Sequence, residues 1–221
     1  MRERPNKQRL IESMSDDRDN EFRSALEAVV VSFGLDALSA DQTTQLVKHY
    51  AMLCQWNKRI NLTRITAPRD AATLHYAESL FGGRFIAERT ILDIGSGAGF
   101  PAIPLAVIKP DVKVTALEAN QKKALFLIEA RDVLRLSNLS VVTARLEEFD
   151  WSGYELLTSR ALDRAEAVLP SVIERMNSKQ RLLLYCGPDS VAKLEGRANY
   201  KIETHLIPQS EARLIAILYR G

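Results

Sequence analysis

The sequence predicts a doubly wound α/β fold whose mostly parallel sheet ends in an antiparallel closing strand and follows an N-terminal helical appendage. Two observations predict it. From Arg89 onward, short apolar runs alternate with helical segments, which is typical of a parallel sheet covered by helices on both faces. The run ILDIGSGAGF, residues 91–100, then places a glycine-rich turn directly after the first strand. We therefore expect a Rossmann-like domain over residues 87–221.

The helical appendage is expected over residues 20–86. Ser39 and Gln42 have capping-box spacing, and Gly34 is a suitable helix terminator. The three helices predicted there run from Asn20 to Phe33, from Ser39 to about Ile60 and from Pro68 to Gly82. Residues 1–19 mix basic and acidic side chains without an apolar core, so we expect a mobile tail and no signal peptide or membrane span.

The predicted strands of the sheet share short apolar runs bounded by turn residues. They are Thr90–Ile94, Val112–Ala116, Leu139–Thr143, Glu155–Thr158 and Arg181–Tyr185, followed by a closing pair at Lys201–Ile207 and Arg213–Tyr219. Helices are expected after Pro101 and over Lys122–Leu134. Ligands of such sheets bind outside the carboxyl ends of the strands, so each strand-to-helix turn is a candidate site.

Composition limits the function without defining it. The chain has 221 residues, of which 46% are hydrophobic and 26% charged, as in an ordinary globular protein. Its net charge of +2 means that a nucleic-acid site must be a local basic patch. Two cysteines are too few for a disulfide framework, which favours a cytoplasmic location. No obligate protein partner is expected.

The first turn carries the strongest chemical signal. Gly95, Gly97 and Gly99 alternate, and Asp93 precedes them by two residues. Glycine lets a ligand approach the backbone closely. This D-x-G-x-G-x-G pattern is typical of enzymes that bind S-adenosylmethionine (SAM). A dinucleotide site would need glycine at position 100, which Phe100 occupies, so NAD is the weaker alternative.

The second, third and fourth turns complete the expected cofactor site. Glu118, at the end of the second strand, can accept hydrogen bonds from both ribose hydroxyls. Leu146 can cover the adenine ring while the backbone of Leu146 and Glu147 reads its edge. In the fourth turn, Arg160 can hold a phosphate, the guanine edge or the cofactor carboxylate, or it can form an ion pair that stabilises the fold.

The fourth turn also limits the acceptor. Ser159, Arg160 and Ala161 cannot serve a methyltransferase that acts on exocyclic amines, which uses an amide or Asp followed by two prolines. Cys186 is the candidate nucleophile for carbon methylation, but we expect it to be a small buried residue. Because no general base is evident, an acceptor that needs none, such as guanine N7, is favoured.

Several segments together resemble one family. They are WNKRINLT at 56–63, HYAESL at 75–80, LDIGSGAGFPAIPLA at 92–106 and SRA at 159–161. The combination resembles the bacterial ribosomal RNA small-subunit methyltransferase G family, also called glucose-inhibited division protein B, over about residues 45–187. The resemblance implies methyl transfer from SAM to N7 of a guanosine in small-subunit ribosomal RNA, either naked or in the assembled subunit. It implies cofactor contacts at Gly95, Phe100, Leu146, Glu147 and Arg160.

This chain departs from the family pattern at three positions. Ala102 stands in place of a fourth glycine, Glu78 in place of an aspartate, and Cys186 in place of a lysine. The departure at Cys186 puts in doubt any contact with the acceptor through that lysine.

The resemblance also gives the basic residues of the appendage a role. Arg59, Asn61, Arg64 and His75 are candidate RNA contacts, although Asn61 and His75 can equally brace the appendage against the sheet. The basic residues expected near the mouth of the site are Lys58, Arg59, Arg64, Arg69 and Arg84. Two alternatives remain open at this point: a SAM methyltransferase of a small molecule, and a binding module that has lost turnover.

Overall fold

A computed structural model describes residues 7–160, 162–194 and 200–220, with the side chains of residues 17–160, 169–194 and 200–220. The strands in this part of the chain are β1 Thr90–Ile94, β2 Lys113–Leu117, β3 Leu139–Val142, β4 Leu156–Ser159, β5 Arg181–Cys186, β6 Tyr200–Leu206 and β7 Leu214–Arg220. They form one sheet in the order β3-β2-β1-β4-β5-β7-β6. Strands β1 to β5 are parallel, and β7 runs antiparallel between β5 and β6. This confirms the predicted fold class.

Helices cover both faces of the sheet, which explains why its central strands β1 and β4 are buried on both faces and mostly apolar. In β1, Ile91 packs into the core that contains the appendage and the helices after β1 and β2, whereas Leu92 packs into the core under the helices after β4 and β5. The helices of this part are α5 Ala102–Ile108, α6 Gln121–Leu134, α7 Leu162–Arg175 and α8 Pro188–Leu194. Asn120 caps α6 by accepting hydrogen bonds from two backbone N–H groups.

The appendage begins earlier than the sequence predicted. Its elements are α1 Lys7–Ser32, α2 Ala40–Asn57, α3 Pro68–Ala71, a π-helix at Ala72–Ala77, α4 Glu78–Gly82 and a 3-10 turn at Gly83–Phe85. Asn20 lies inside α1 because helix-compatible residues continue upstream of it without glycine or proline back to Pro5. Part of the predicted mobile tail is therefore helical, from Lys7 onward, and residues 1–6 lie outside the described range.

The end of α1 and the start of α2 follow their capping signals. The Ser39–Gln42 capping box is present, and Gly34 adopts a left-handed φ of +62° just after α1. Helix α2 ends at Asn57, short of the predicted residue 60, because the Asn57 side chain bonds the backbone of residues 62 and 63 and closes a loop there.

Aromatic side chains join the appendage to the sheet. Phe22 of α1 stacks on Tyr50 of α2 with ring centroids 4.1 Å apart, and it meets the edge of Tyr76. Tyr76 in turn meets the edge of Phe100 at 5.0 Å, in the turn after β1. All four rings belong to one hydrophobic cluster that also contains the β1 and α6 side chains. The appendage therefore packs directly on the glycine-rich turn.

Candidate active site

A cavity of about 790 Å³ opens at the carboxyl ends of β1, β2 and β4. That is within the usual range for a small-molecule site. The predicted cofactor residues that line it are Gly95, Gly97, Phe100, Glu118, Leu146, Glu147 and Arg160. Gly99 is the predicted cofactor residue that does not. The appendage supplies Leu62, Thr63 and His75 to the opposite wall.

The three glycines of the first turn are required for two different reasons. All have φ in the left-handed region, at +72° for Gly95, +56° for Gly97 and +88° for Gly99. A Cβ on Gly95 would meet no protein atom within 4 Å, so it would stand in the open cavity. A Cβ on Gly99 would lie 2.5 Å from Cδ1 of Ile103. Gly95 and Gly97 therefore leave room for a ligand, and Gly99 lets α5 pack closely.

Glu118 ties the second turn to the first. One carboxylate oxygen accepts a hydrogen bond from the Gly97 N–H at 2.9 Å, and the other accepts from the Asn120 N–H at 2.8 Å. The residue is only 8% exposed. Each carboxylate oxygen has a further lone pair, so these bonds leave acceptor capacity for a ligand hydroxyl. The predicted acidic group thus stands at the cavity with a fixed orientation.

The third turn forms a 3-10 helix at Leu146–Glu148. Leu146 is 7% exposed and lines the cavity with its apolar side chain, whereas Glu147 is exposed at the rim. An apolar side chain beside the polar backbone of Leu146 and Glu147 suits the flat face and polar edge of an adenine ring. The cavity volume, the open space over Gly95 and this turn together fit SAM.

Arg160 joins the fourth turn to the appendage. Its guanidinium donates hydrogen bonds to the carbonyl oxygens of Leu74 and His75 in the π-helix, and it forms an ion pair with Glu78 at 3.3 Å. Glu78 also pairs with Arg213. Burial raises the pKa of Glu78, although both guanidinium groups oppose the rise. The ion pair that the sequence left open as an alternative for Arg160 is present, and Arg160 lines the cavity as well.

His75 braces the cavity wall. Its ring stacks on Phe100 with centroids 4.5 Å apart, and its Nε2 lies 2.8 Å from the Thr63 hydroxyl oxygen. Burial lowers the pKa of His75 to about 3, so its ring is neutral near pH 7. Of the two roles expected for His75, the observed contacts are those of a brace between the appendage and the first turn.

Three of the four predicted RNA contacts fall on one loop. Arg59, Asn61 and Arg64 do not line the cavity, but all three are exposed and flank Leu62 and Thr63, which do. They stand at the rim of the appendage wall.

Arg84 lies away from the mouth, contrary to expectation. It donates a hydrogen bond to the Gly34 carbonyl, and its guanidinium lies over the Phe81 ring. It precedes β1, whose opposite end reaches the cavity. Proximity along the sequence to Arg59 and Arg64 was a misleading signal, because the π-helix and α4 carry the chain away from the mouth.

Sequence reasoning missed some of the residues that build the site. Lys123 and Arg145 line the cavity, at the start of α6 and after β3. Their place in two strand-to-helix turns was the signal that could have found them. Asn57 was also missed, because its role lies in the loop closure that only the fold reveals.

Cys186 and Asp93 are two buried titratable residues near the carboxyl ends of their strands. Cys186 is buried, as expected, and burial raises the pKa of its thiol to about 11, which disfavours the thiolate. Burial raises the pKa of Asp93 to about 7, and its carboxylate accepts a hydrogen bond from the Ala102 N–H. Ala161 lies outside the described residues.

Among the described residues, no group of three or more metal-ligating side chains occurs, and none of the helices there is long and apolar enough to cross a bilayer.

The sheet order and the placement of the four turns define a Rossmann-like SAM-dependent methyltransferase fold. Solved structures share it at low identity. A magnesium protoporphyrin IX methyltransferase from Synechocystis, with bound SAM, aligns over 84% of this chain and 100% of its own, with a TM-score of 0.55 and 16% identity. A protein described as a putative O-methyltransferase from Klebsiella pneumoniae aligns over 78% and 90%, with a TM-score of 0.57 and 12% identity.

Sequence comparison is more specific. The profile of the family described as rRNA small subunit methyltransferase G matches residues 42–211. Proteins named ribosomal RNA small subunit methyltransferase G are 42% identical in Methylobacillus flagellatus and 40% identical in Xanthomonas euvesicatoria. These matches cover 63% and 66% of this chain, and 68% of each relative. The chain belongs to this family, which confirms the resemblance seen in its motifs. It is a methyltransferase that uses SAM.

Proposed function

We propose that this protein transfers the methyl group of SAM to N7 of a guanosine in small-subunit ribosomal RNA. The observation that carries the proposal is that the side chains of the fourth turn, where the acceptor would meet the cofactor, are already engaged in hydrogen bonds. Ser159 donates its hydroxyl proton to the Ile94 carbonyl at 3.0 Å, and Arg160 bonds the π-helix carbonyls. Among the described side chains of this turn, none is available to remove a proton.

Guanine N7 needs no such group. SAM supplies a methyl group on a positively charged sulfur. The N7 lone pair forms the new bond to carbon as the sulfur–carbon bond breaks, and S-adenosylhomocysteine leaves. N7 carries no proton, so none has to be removed. His75 is neutral, its Nε2 contacts the Thr63 hydroxyl, and its Nδ1 is buried away from solvent. Catalysis then consists of positioning acceptor and methyl donor in line.

The proposed cofactor contacts follow the turns. Gly95 and Gly97 admit the ligand against the backbone, and Phe100 closes the wall beside it. Glu118 would accept hydrogen bonds from the ribose hydroxyls, while Leu146 and the Glu147 backbone would hold the adenine. At the methyl end of the cofactor, Arg160 lines the cavity where cofactor and acceptor would meet.

The proposed RNA contacts surround the mouth. Arg59, Asn61 and Arg64 are exposed on the appendage rim, and Lys123 and Arg145 line the cavity on the sheet side. Positive charges on both sides of the opening suit phosphates that flank a target base. Bacterial small subunits are made in the cytoplasm, so the proposal places the protein there, with naked ribosomal RNA or the assembled subunit as its substrate.

Mapping the methyl group tests this proposal. Ribosomal RNA from cells with and without the protein is digested to nucleosides, and the purified chain is incubated with SAM and either naked RNA or small subunits. We expect 7-methylguanosine at one position, present only with the protein. The Cys186→Ser variant should retain this activity. Methyl label on a pyrimidine carbon, or transfer to small molecules alone, would contradict the proposal.

A further inference from the structure

The glycine-rich turn has a hydrogen-bond partner outside its own domain. His49 of α2 is fully buried, and its Nε2 lies 3.1 Å from the carbonyl oxygen of Ala98. Ala98 stands between Gly97 and Gly99 and lines the cofactor cavity. Apart from the His49 bond, the described hydrogen bonds that residues 95–100 form with side chains or with other elements have partners within residues 93–118. His49 is thus the appendage's direct polar link to this turn in the described part of the chain.

The partners of His49 determine its tautomer. A carbonyl oxygen can only accept, so Nε2 carries the proton and donates it to Ala98. Burial lowers the pKa of His49 to about 3, so the ring is neutral and Nδ1 is an acceptor. The Tyr76 hydroxyl lies 2.8 Å from Nδ1 and donates to it. Tyr76 belongs to the π-helix and is also fully buried.

The turn that receives this bond has an intrinsic need for support. Its three glycines have more accessible backbone conformations than other residues, so an unsupported turn samples many of them. Each alternative conformation must be given up when a ligand binds, which weakens binding. A fixed donor on the Ala98 carbonyl removes part of that cost before the ligand arrives.

We propose that His49 is a positioning residue for the cofactor, oriented by Tyr76, through which the helical appendage holds the glycine-rich turn in its binding conformation. The inference rests on the proposed SAM site. It assigns the appendage a second task besides contact with RNA, namely setting the affinity for SAM in the absence of RNA.

Three substitutions and a matched control test the proposal in the full-length protein. His49→Phe keeps a ring of similar size and removes both hydrogen bonds, His49→Gln restores a donor at the position of Nε2, and Tyr76→Phe removes the hydroxyl alone. The control is Tyr50→Phe, because Tyr50 is the next residue of α2, is fully buried, and donates its hydroxyl to the Thr66 carbonyl at 2.8 Å, away from the turn.

The first measurements are SAM affinity by calorimetry without RNA and hydrogen exchange at the amides of residues 97–100 in the cofactor-free protein. We expect His49→Phe to weaken SAM binding about five- to tenfold, near the upper value of one neutral hydrogen bond, and to speed exchange. His49→Gln should recover most of the affinity, and Tyr76→Phe should lose less than His49→Phe. Tyr50→Phe should match the wild type in both measurements.

Kinetics separate positioning from general destabilisation. His49→Phe should raise the KM for SAM by the same factor while kcat at saturating SAM stays near the wild-type value. Equal SAM affinity and equal exchange in His49→Phe and Tyr50→Phe, with only a lower Tm, would overturn the proposal. If His49→Phe does not fold, wild-type SAM affinity and wild-type exchange in Tyr76→Phe would overturn it too. Failure of guanine methylation would leave the SAM affinities unaffected, so the two proposals are tested separately.

Discussion

The two walls of the cavity are built by different means. The sheet wall, made by the turns after β1, β2 and β3, gets its shape from backbone geometry within short segments, above all the positive φ angles of Gly95 and Gly97. The appendage wall, made by Leu62, Thr63 and His75, is held by side chains that are distant in sequence. Its strongest link, Arg160, lies more than 80 residues after the carbonyls it bonds.

Because the walls are built differently, substitutions in them should have different effects. Changes in the sheet wall alter a local shape that the ligand needs, so they should act on cofactor affinity. Changes in the appendage wall remove contacts between parts of the chain, so they should act on stability and on the position of the acceptor as well. Substitutions in each wall test this difference.

Gly97→Val should abolish SAM binding while the chain stays folded. Valine at a φ of +56° costs about 1–2 kcal/mol, which a stable domain tolerates. Its branched side chain would stand at the cavity, where the ligand belongs. Calorimetry with SAM measures the loss, and circular dichroism checks the fold. Wild-type affinity in this variant would contradict the assignment of the sheet wall to the cofactor.

Arg160→Ala should affect both stability and turnover. Breaking a buried pair costs about 3–5 kcal/mol of unfolding free energy when the remaining charge is left unpaired. Because Arg213 still pairs with Glu78, the loss in Arg160→Ala should lie at or below the lower end of that range. Turnover at saturating RNA and SAM should also fall about tenfold or more, because the π-helix loses its anchor and small displacements of reacting groups are costly.

The control for Arg160 is Glu78→Gln. It breaks the ion pair but leaves the bonds of Arg160 to the Leu74 and His75 carbonyls, so it should lose stability and keep more turnover. Denaturant unfolding and single-turnover kinetics on the same preparations supply both values. A less stable Arg160→Ala with unchanged turnover per folded molecule would make the residue purely structural.

Glu118→Ala should weaken SAM binding by about 1.5–3 kcal/mol, the value of a hydrogen bond to a charged group. The substitution also frees the Gly97 N–H, so part of the loss would come from a looser turn. Glu118→Gln keeps one acceptor oxygen and should lose less. Glu148→Ala, an exposed acid outside the cavity lining, serves as the control. Unchanged affinity in Glu118→Ala would exclude ribose recognition by this residue.

Arg59→Ala and Arg64→Ala should change RNA binding and leave SAM affinity intact. If each guanidinium contacts a phosphate, the slope of log affinity against log salt should fall by about 0.7 for each contact with single-stranded RNA. Arg84→Ala is the matched control, since Arg84 is a basic residue of the same appendage that is engaged with Gly34 and Phe81. Equal slopes in all three variants would place the RNA elsewhere.

The chemical step should vary little between about pH 6.5 and 8.5. His75 and Cys186, with pKa values of about 3 and about 11, do not titrate in that range. Single-turnover kinetics test this, and a bell-shaped profile would reveal a general acid and base. Asp93 differs from these two residues, because its pKa of about 7 lies within this pH range. If its titration produces a weak bend near pH 7 in the rate profile, the Asp93→Asn variant should lack that bend.

The same pKa shifts determine how stability changes with pH. His75 takes up its proton only near pH 3 when folded and near its ordinary 6.5 when unfolded. The unfolded state therefore binds more protons in between, and the contribution of His75 to the unfolding free energy is lost as pH falls from about 6.5 toward 3. Asp93 acts in the opposite sense, because its raised pKa lowers stability as pH rises from about 4 to 7.

The sequence by itself determined the sheet, the order of its turns and most of the sheet wall. Gly95, Gly97, Glu118 and Leu146 could be predicted because each lies at the end of a strand, and parallel strands bring those ends to one edge. The combination of four short sequence segments also identified the family, because such a pattern can be recognised without knowing which residues are in contact.

The tertiary structure alone decided the appendage wall. The bonds from Arg160 to Leu74 and His75, from His49 to Ala98, and from Asn57 across its loop depend on where whole helices pack. Helix packing is set by the fit of many apolar side chains, here the cluster of Phe22, Tyr50, Tyr76 and Phe100. The periodicity of apolar residues predicts that such helices form, but it does not predict which polar groups their packing brings together. Hydrogen bonds are short-ranged, and the residues that form these bonds lie far apart in sequence.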